Sequence, residues 1–393
     1  MTRRPRIGLF IDTFFPMVDG VIMVVDNYAR RLQKYCDVTV FAPKGRKDYD
    51  DSQLPYKVVR CNSKFPLVFL DYDLPLPNLD KKFKEELEKA NLDLVHIHSP
   101  FSIGKLGVNY AKSHNIPVVA TMHSQFKKDF RRAVKLEWVA NLMVKKVMKV
   151  FNACDECWCM NKGCEILVRS YGFNGITKII PNGTDLSINE EIKELAQNIK
   201  NQYAPNGEKI LISVGRIDKL KNLDLTFEVA KELKLKGFKY HLLILGTGKD
   251  LEYFKQKVKN LGIEEDVTFL GKITDATQKS AYYMASDLHV FPSLYDTDGI
   301  VKIEAAAFNT PTIFSKESMA NTNCKDGENG YISEFDKDAF AKKILEIFSN
   351  EEQYKTVCLN CHNDIYITWD QILNTVLERY ITLMKLNKRG EKK

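Results

Sequence analysis

Two successive series of short apolar runs, each run followed by an amphipathic stretch, set the tightest limit on what this chain can fold into. The first series reads "RIGLFID", "VDNYARRLQKY", "CDVTVFAP", "LDLVHIHS", "SIGKLGVNYAKSH", "IPVVATMH", a long helical stretch from Arg132 to Phe151, "ECWCMN" and "TKIIPNG". The second reads "KILISVG", "LDLTFEVAKELKLKG", "HLLILGTG", "DLEYFKQKVKNLG", "DVTFLGK", "SAYYMAS", "LHVFPS", "IVKIEAAAF" and "TPTIFS". Unbroken apolar runs of about 4–8 residues between helical patterns indicate parallel strands covered on both faces. Each series therefore predicts an α/β domain with a doubly wound parallel sheet. The stretch between them, "NGTDLSINEEIKELAQNIKNQYAPNGEK", is polar and carries no strand signal, and it places a hinge near Asn182–Asp185. A length of 393 residues suits two domains at roughly 150 residues each.

Composition excludes several classes. Apolar residues make up 44% and charged residues 28%, as in ordinary globular proteins. No segment approaches the ~20 consecutive apolar residues of a membrane-spanning helix. The opening "MTRRPRIGLFIDTFFP" is basic, but Asp12 interrupts its apolar run, which does not fit a signal peptide. A cytoplasmic protein is expected. A formal charge of +7 is too mild for a dedicated nucleic-acid binder. It suits a protein that handles anionic small molecules or touches an anionic membrane surface. Four of the nine cysteines, Cys154, Cys157, Cys159 and Cys164, cluster in "CDECWCMNKGC". The Cys154–Cys157 spacing is that of a metal knuckle, but a zinc site needs a second pair or histidines at a defined separation. Cys157 and Cys159 alternate with Trp158 and Met160, so structural cysteines on a buried strand are expected, and no metal.

Two Rossmann-like domains facing each other leave a cleft at the carboxyl ends of their strands, where open α/β sheets bind ligands. The residues just after each strand are therefore the informative ones. "KILISVG" is followed by Arg216 and Lys221, a fork and a point charge suited to a diphosphate; a solvated basic loop is the alternative. "HLLILG" is followed by "TGK", which lacks the full phosphate-loop pattern and reads as a turn. "IPVVATM" is followed by His123, placed either to meet a ligand or to fill a structural position. Gly20, after "FFPMVD", lets a ligand approach the backbone closely or simply makes a turn. "LHVFPS" leads into "LYDTDGIVKIEAAA". Asp296 and Glu304 bracket Gly299 there, with Glu304 about one turn into a helix. Carboxylates accept from sugar and ribose hydroxyls, and helix amides suit phosphate, so a nucleotide sugar satisfies the whole set. Asp298 has the local alternative of capping the helix.

Over nearly its whole length the chain resembles the retaining GT-B glycosyltransferases of family 4. The resemblance rests on "FFPMVDGV", "DLVHIHSP", "ATMHSQF", "IIPNGTDL", "SVGRIDKLKNLD", "LLILGTG", "VTFLGKI", "FPSLYDTDGIVKIEAAA" and "KDGENGYI", in this order. It implies that Arg216 and Lys221 hold the donor diphosphate and that Gly20 approaches it from the first domain. Asp296 would contact the donor sugar and Glu304 the ribose, with the Gly299 and Ile300 amides between them. His123 would lie beside the sugar, and Lys272 where backbone groups meet the base. "IYITWDQI" resembles the segment that returns to the first domain. The implied domains are 1–183 on the acceptor side, 184–365 for the nucleotide sugar, and a returning helix at 366–393. The resemblance also implies a UDP-sugar donor and no cofactor. Two departures bear on the donor sugar: Asp296 stands where the family has Glu, and Asp298 stands where many members carry an apolar residue. "DTDG" is closer to bacterial glycolipid glucosyltransferases, which points to a lipid acceptor such as diacylglycerol; a polysaccharide or other glycan is the alternative.

The segment Lys127–Lys149 interleaves Lys127, Lys128, Arg131, Arg132, Lys135, Lys145, Lys146 and Lys149 with Phe130, Val134, Trp138, Leu142 and Val147. Such a pattern suits peripheral binding to the anionic inner face of a membrane; a helix pair with one solvated face is the alternative. Two other functional classes remain in view. A sugar-nucleotide epimerase would need proton-transfer groups that are less evident here. A non-catalytic nucleotide-sugar-binding module would be expected to lose positions such as Arg216, Lys221 and Glu304, which are present.

Overall fold

Most of the unbroken apolar runs are buried strands. In the computed structural model, which describes residues 3–17, 19–66 and 73–390, "LVHI", "VVATM" and "ECWC" are buried at every position. The first series gives β1 (Arg6–Phe10), β2 (Asp37–Pro43), β3 (Lys57–Cys61), a short antiparallel pair β4 (Lys64–Phe65) and β5 (Leu74–Pro75), β6 (Leu94–Ile97), β7 (Val118–Met122), β8 (Glu156–Cys159) and β9 (Ile176–Ile179). The second gives β10 (Lys209–Val214), β11 (Tyr240–Leu245), β12 (Val267–Gly271), β13 (Leu288–Phe291), β14 (Thr312–Ser315) and β15 (Tyr331–Ser333). The chain divides into two compact units, Met1–Asn182 with Trp369–Lys393, and Gly183–Thr368.

Each unit has a parallel sheet. The first is ordered β3-β2-β1-β6-β7-β8-β9, the second β12-β11-β10-β13-β14-β15. The order reverses between β1 and β6 in one and between β10 and β13 in the other. At such a switch point the loops leaving two adjacent strands diverge and leave room for a ligand. The "GTG" after β11 is a turn. A Cβ on Gly246 would lie 1.8 Å from the Gly215 carbonyl oxygen, so glycine is required there for two backbones to pass.

The helix Trp369–Gly390 completes the first unit. Tyr380 is fully buried and stacks on Trp158 at 5.4 Å. Arg379 pairs with the carboxylate of Glu156, which has no exposed surface and also accepts from Trp158 Nε1 at 3.0 Å. Cys157 and Cys159 lie on β8, and all nine cysteines are free thiols. Among the described residues no helix is long and apolar enough to cross a membrane.

One expected element is different. The stretch from Arg132 to Phe151 is not one helix but part of two, Phe126–Val134 and Glu137–Phe151. Lys135 breaks the run in the left-handed region, with φ 56°, and Leu136 is extended. Tertiary packing imposes the break: Phe126 and Phe130 of the first helix and Ala140, Val144 and Met148 of the second enter the same core.

Candidate active site

In the second unit the loops leaving β10 and β13 are tied together at the switch point. Asn222, in the left-handed region with φ 55°, donates from Nδ2 to the Pro292 carbonyl at 3.2 Å. Lys221 Nζ donates to Asp296 Oδ1 at 2.5 Å. The other carboxylate oxygen, Asp296 Oδ2, is buried without a hydrogen-bond partner. Ser293 Oγ accepts from the amides of Tyr295 and Asp296 and shapes the loop. Arg216 donates from Nε to Asp218 Oδ2 at 2.6 Å, and Asp218 is almost fully buried. This fixes the base of an otherwise exposed guanidinium, whose Nη groups make no hydrogen bond among the described residues. Both cations thus have a carboxylate partner and still have N–H groups to offer.

The helix Ile300–Ala306 begins at Gly299, whose φ of 72° favours glycine. A Cβ there would also lie 2.8 Å from the Phe291 ring. Ile300 is half-buried. Glu304 is one turn in, as expected. Its Oε1 accepts from Lys279 Nζ at 2.7 Å and its Oε2 from the Tyr283 hydroxyl at 2.9 Å. Burial and the neighbouring Glu304 push the Tyr283 hydroxyl well above its ordinary pKa, so it remains a donor. Asp298 is buried and pairs with Lys302 Nζ at 2.9 Å, while the same ammonium donates to the Ala320 carbonyl at 2.7 Å. Lys272 is exposed beyond β12, the sheet's edge strand, with β11 between it and the switch point. It makes no polar contact with the other candidates.

In the first unit Gly20 opens the helix Gly20–Leu32, and Asp19 caps it by accepting from the Ile22 amide at 2.9 Å. A Cβ on Gly20 would meet nothing within 4 Å. The fold itself therefore does not demand glycine, and the backbone is open to a ligand. Val18, in the same loop, lies outside the described residues. His123 follows β7, and its Nε2 lies 3.1 Å from His98 Nδ1. Burial lowers the His123 pKa to about 3, so the ring is neutral at physiological pH.

Several participants were not singled out from the sequence. Lys279 and Tyr283 come from the helix Ala276–Ala285, where nothing marks them as carboxylate partners. His96 and His98 were visible in "LVHIHS", but a histidine on an apolar strand reads as core. Asp12 accepts from Ser99 Oγ and the Ile103 amide, each at 2.7 Å, and so holds the start of the helix Ser102–Ser113 against β1. Its neighbour "SP" after β6 was the available signal.

Comparison with known proteins agrees with this architecture. A model of glycosyl transferases group 1 matches residues 196–358, and one of glycosyltransferase family 4 matches residues 18–188. The alpha-monoglucosyldiacylglycerol synthase of Streptococcus pneumoniae is 28% identical over 351 residues, 87% of this chain and 78% of that protein. The enzyme of the same name from Acholeplasma laidlawii is 26% identical, covering 90% of this chain and 91% of that one. The crystal structure of Anabaena HepE in complex with UDP superposes with a TM-score of 0.75 at 16% identity, over 96% of this chain and 100% of that one. The fold is that of the GT-B glycosyltransferases, and the chain belongs to the family 4, or group 1, glycosyltransferases.

Proposed function

We propose that this protein moves a hexosyl group from a UDP-sugar to the hydroxyl of a diacylglycerol-type lipid, with retention at the anomeric carbon and without a metal or other cofactor. The lipid acceptor is supported by the names of the two synthases, and the uridine donor by the UDP held in the HepE structure. The observation that carries the reading is the Lys221–Asp296 pair across the switch point, with Asp296 Oδ2 buried and unpartnered. A carboxylate that is desolvated on one oxygen and fixed on the other is ready to accept from a sugar hydroxyl, because the cost of its burial is recovered only when a donor arrives.

Cleavage of the anomeric bond places charge on the departing diphosphate. Lys221 and the Nη groups of Arg216 stabilise that charge, and the Gly299 and Ile300 amides at the start of the helix add to it. Asp296 holds the sugar while Glu304, oriented by Lys279 and Tyr283, takes the ribose diol. Gly20, His123 and Lys272 keep the roles that the family resemblance implies: phosphate approach, sugar positioning and base contact. The acceptor hydroxyl attacks from the face that the diphosphate leaves.

The hairpin formed by the helices Phe126–Val134 and Glu137–Phe151 is the membrane contact in this reading. Trp138, Leu142, Lys145 and Lys149 follow one another at helical spacing on an exposed face. Trp138 is 68% exposed. Phe130 and Val147 belong to the core instead, so the apolar part of the contact is smaller than the sequence pattern suggests.

Incubating the purified protein with a panel of UDP- and GDP-sugars, with and without diacylglycerol vesicles, and measuring nucleotide release and lipid product tests the reading. Lys221→Ala is expected to lose about 100-fold or more in transfer, the scale of removing one preorganised donor from a developing anion, with the fold retained. A folded Lys221→Ala protein that turns over normally would sink the diphosphate assignment. Binding of a sugar nucleotide without any turnover would support the non-catalytic module instead.

A further inference from the structure

One loop of the second unit carries none of the groups assigned to the donor, yet it grips both ends of the segment that carries Asp296. It leaves β14, the neighbour of β13 in the sheet, and runs through a short 3-10 helix at Met319–Asn321. At the near end of the segment, Ser318 Oγ donates to the Ser293 carbonyl at 2.7 Å. The same hydroxyl accepts from the Ala320 amide at 3.3 Å. Ser318 is 3% exposed and Ser293 1%. Among the described residues, that hydroxyl is the one donor to the Ser293 carbonyl. At the far end, the Ala320 carbonyl accepts from Lys302, which pairs with Asp298.

From Ser318 the contacts run on to the carboxylate. Ser293 Oγ accepts from the amides of Tyr295 and Asp296, at 3.3 and 3.4 Å. Asp296 Oδ1 accepts from Lys221, which leaves Oδ2 as the buried oxygen without a partner. An aspartate has few side-chain torsions, so its carboxylate follows its backbone closely. A shift of the chain at Ser293 therefore moves the oxygen that meets the sugar. The adjoining carbonyl is guarded against such a shift, because Pro292 accepts from both Ser315 Oγ at 3.1 Å and Asn222 Nδ2 at 3.2 Å. Ser293 has no such second donor. A buried carbonyl left bare is costly, so without the Ser318 hydroxyl the chain there moves to recover a partner.

We propose that Ser318 is a positioning residue for the donor sugar, acting through Ser293 on Asp296. This rests on the assignment of Asp296 to the sugar and adds the group that sets where its carboxylate stands. Arg216 and Glu304 are held by partners outside this chain of contacts, Asp218 for the one and Lys279 with Tyr283 for the other. Loss of the Ser318 hydroxyl is therefore felt by the sugar and not by the nucleotide.

Titration calorimetry of the full chain with UDP and with UDP-glucose tests this, because the ratio of the two Kd values isolates the sugar. Ser318→Ala should raise the Kd for UDP-glucose about tenfold, the scale of one lost hydrogen bond, and that for UDP less than about threefold. Ser318→Cys, close in shape but with only a weak S–H donor, should fall between wild type and Ser318→Ala. If Ser318→Ala does not fold, Ser318→Cys decides by the same ratio. Ser315→Ala removes an equally buried hydroxyl from the same loop, but its carbonyl keeps Asn222, so the ratio should change less than about twofold. Asp296→Ala should lose the sugar's contribution, and adding Ser318→Ala to it should change the ratio no further, as for two residues that act as one unit. UDP and UDP-glucose weakened alike in Ser318→Ala would overturn the proposal, as would an equal effect of Ser315→Ala or additive effects in the double variant. Asp296→Ala that binds UDP-glucose as the wild type does would overturn the sugar assignment itself. Loss in Asp296→Ala with none in either Ser318 variant would overturn the role of Ser318 alone.

Discussion

At the scale of single residues, the acids of "YDTDGIVKIEAAA" divide by what they touch. Asp296 and Glu304 stay partly accessible, while Asp298 is withdrawn with Lys302 into a pair of which neither member is more than 4% exposed. That pair ties the loop before the helix to the helix itself and, through the Ala320 carbonyl, to the next turn of chain. Removing one partner leaves a buried uncompensated charge, which typically costs about 3–5 kcal/mol. Lys302→Met should lower stability by that order in urea unfolding, and adding Asp298→Asn should recover most of it. If Lys302→Met alone is neutral, the pair does not hold the loop. The sequence showed that acids gather after this strand, because a loop following an apolar run is easy to find. It could not show which of them is buried, since a lysine four residues along a helix reads as solvated until the packing around it is known. The same limit hid Lys279 and Tyr283, whose helix carries no mark of the carboxylate it serves.

At the scale of elements, strands were legible and helix breaks were not. Runs such as "LLIL" and "HVF", short and closed by Gly246 and Pro292, read as covered strands, whereas Lys135 adopts a left-handed conformation that no glycine announces. The corner it makes exposes Leu136 and Trp138 beside a cationic stripe. Lys127 and Arg131 are partly neutralised by Glu137, but Lys145, Lys146 and Lys149 form no ion pair among the described residues. Each lysine close to an anionic surface contributes about 1 kcal/mol, so Lys145→Ala and Lys149→Ala should each weaken co-sedimentation with anionic vesicles about fivefold at low salt. Trp138→Ala should also weaken it, while changing stability by no more than about 0.5 kcal/mol. Equal sedimentation of wild type and all three variants would remove the hairpin from the membrane reading.

At the scale of the molecule, buried neutral histidines make the fold sensitive to mild acid. His96, His98 and His123 in the first unit and His241 and His289 in the second all have pKa values lowered by burial. Below the ordinary value of 6.5 the unfolded chain takes up protons that the folded chain refuses. Stability is therefore complete above that pH and falls as pH drops, by about 1.4 kcal/mol per pH unit for each such histidine. Asp12 and Asp287, raised by burial, work in the opposite sense but are fewer. The urea midpoint should decline steadily from pH 6.5 to 5; a flat midpoint would mean that these rings are not held neutral. The two parallel sheets were readable from periodicity alone; the return of the last helix was readable only through the family resemblance of "IYITWDQI", because periodicity does not name the unit that a helix joins. That return has a consequence for synthesis. Chains generally fold from the amino end as they emerge from the ribosome. Here the unit made first lacks Arg379 to meet Glu156 and Tyr380 to cover Trp158 until the unit made second has already left the tunnel. The earlier half of the protein is therefore the later one to be finished, and until then it presents an open apolar seam to whatever escorts nascent chains.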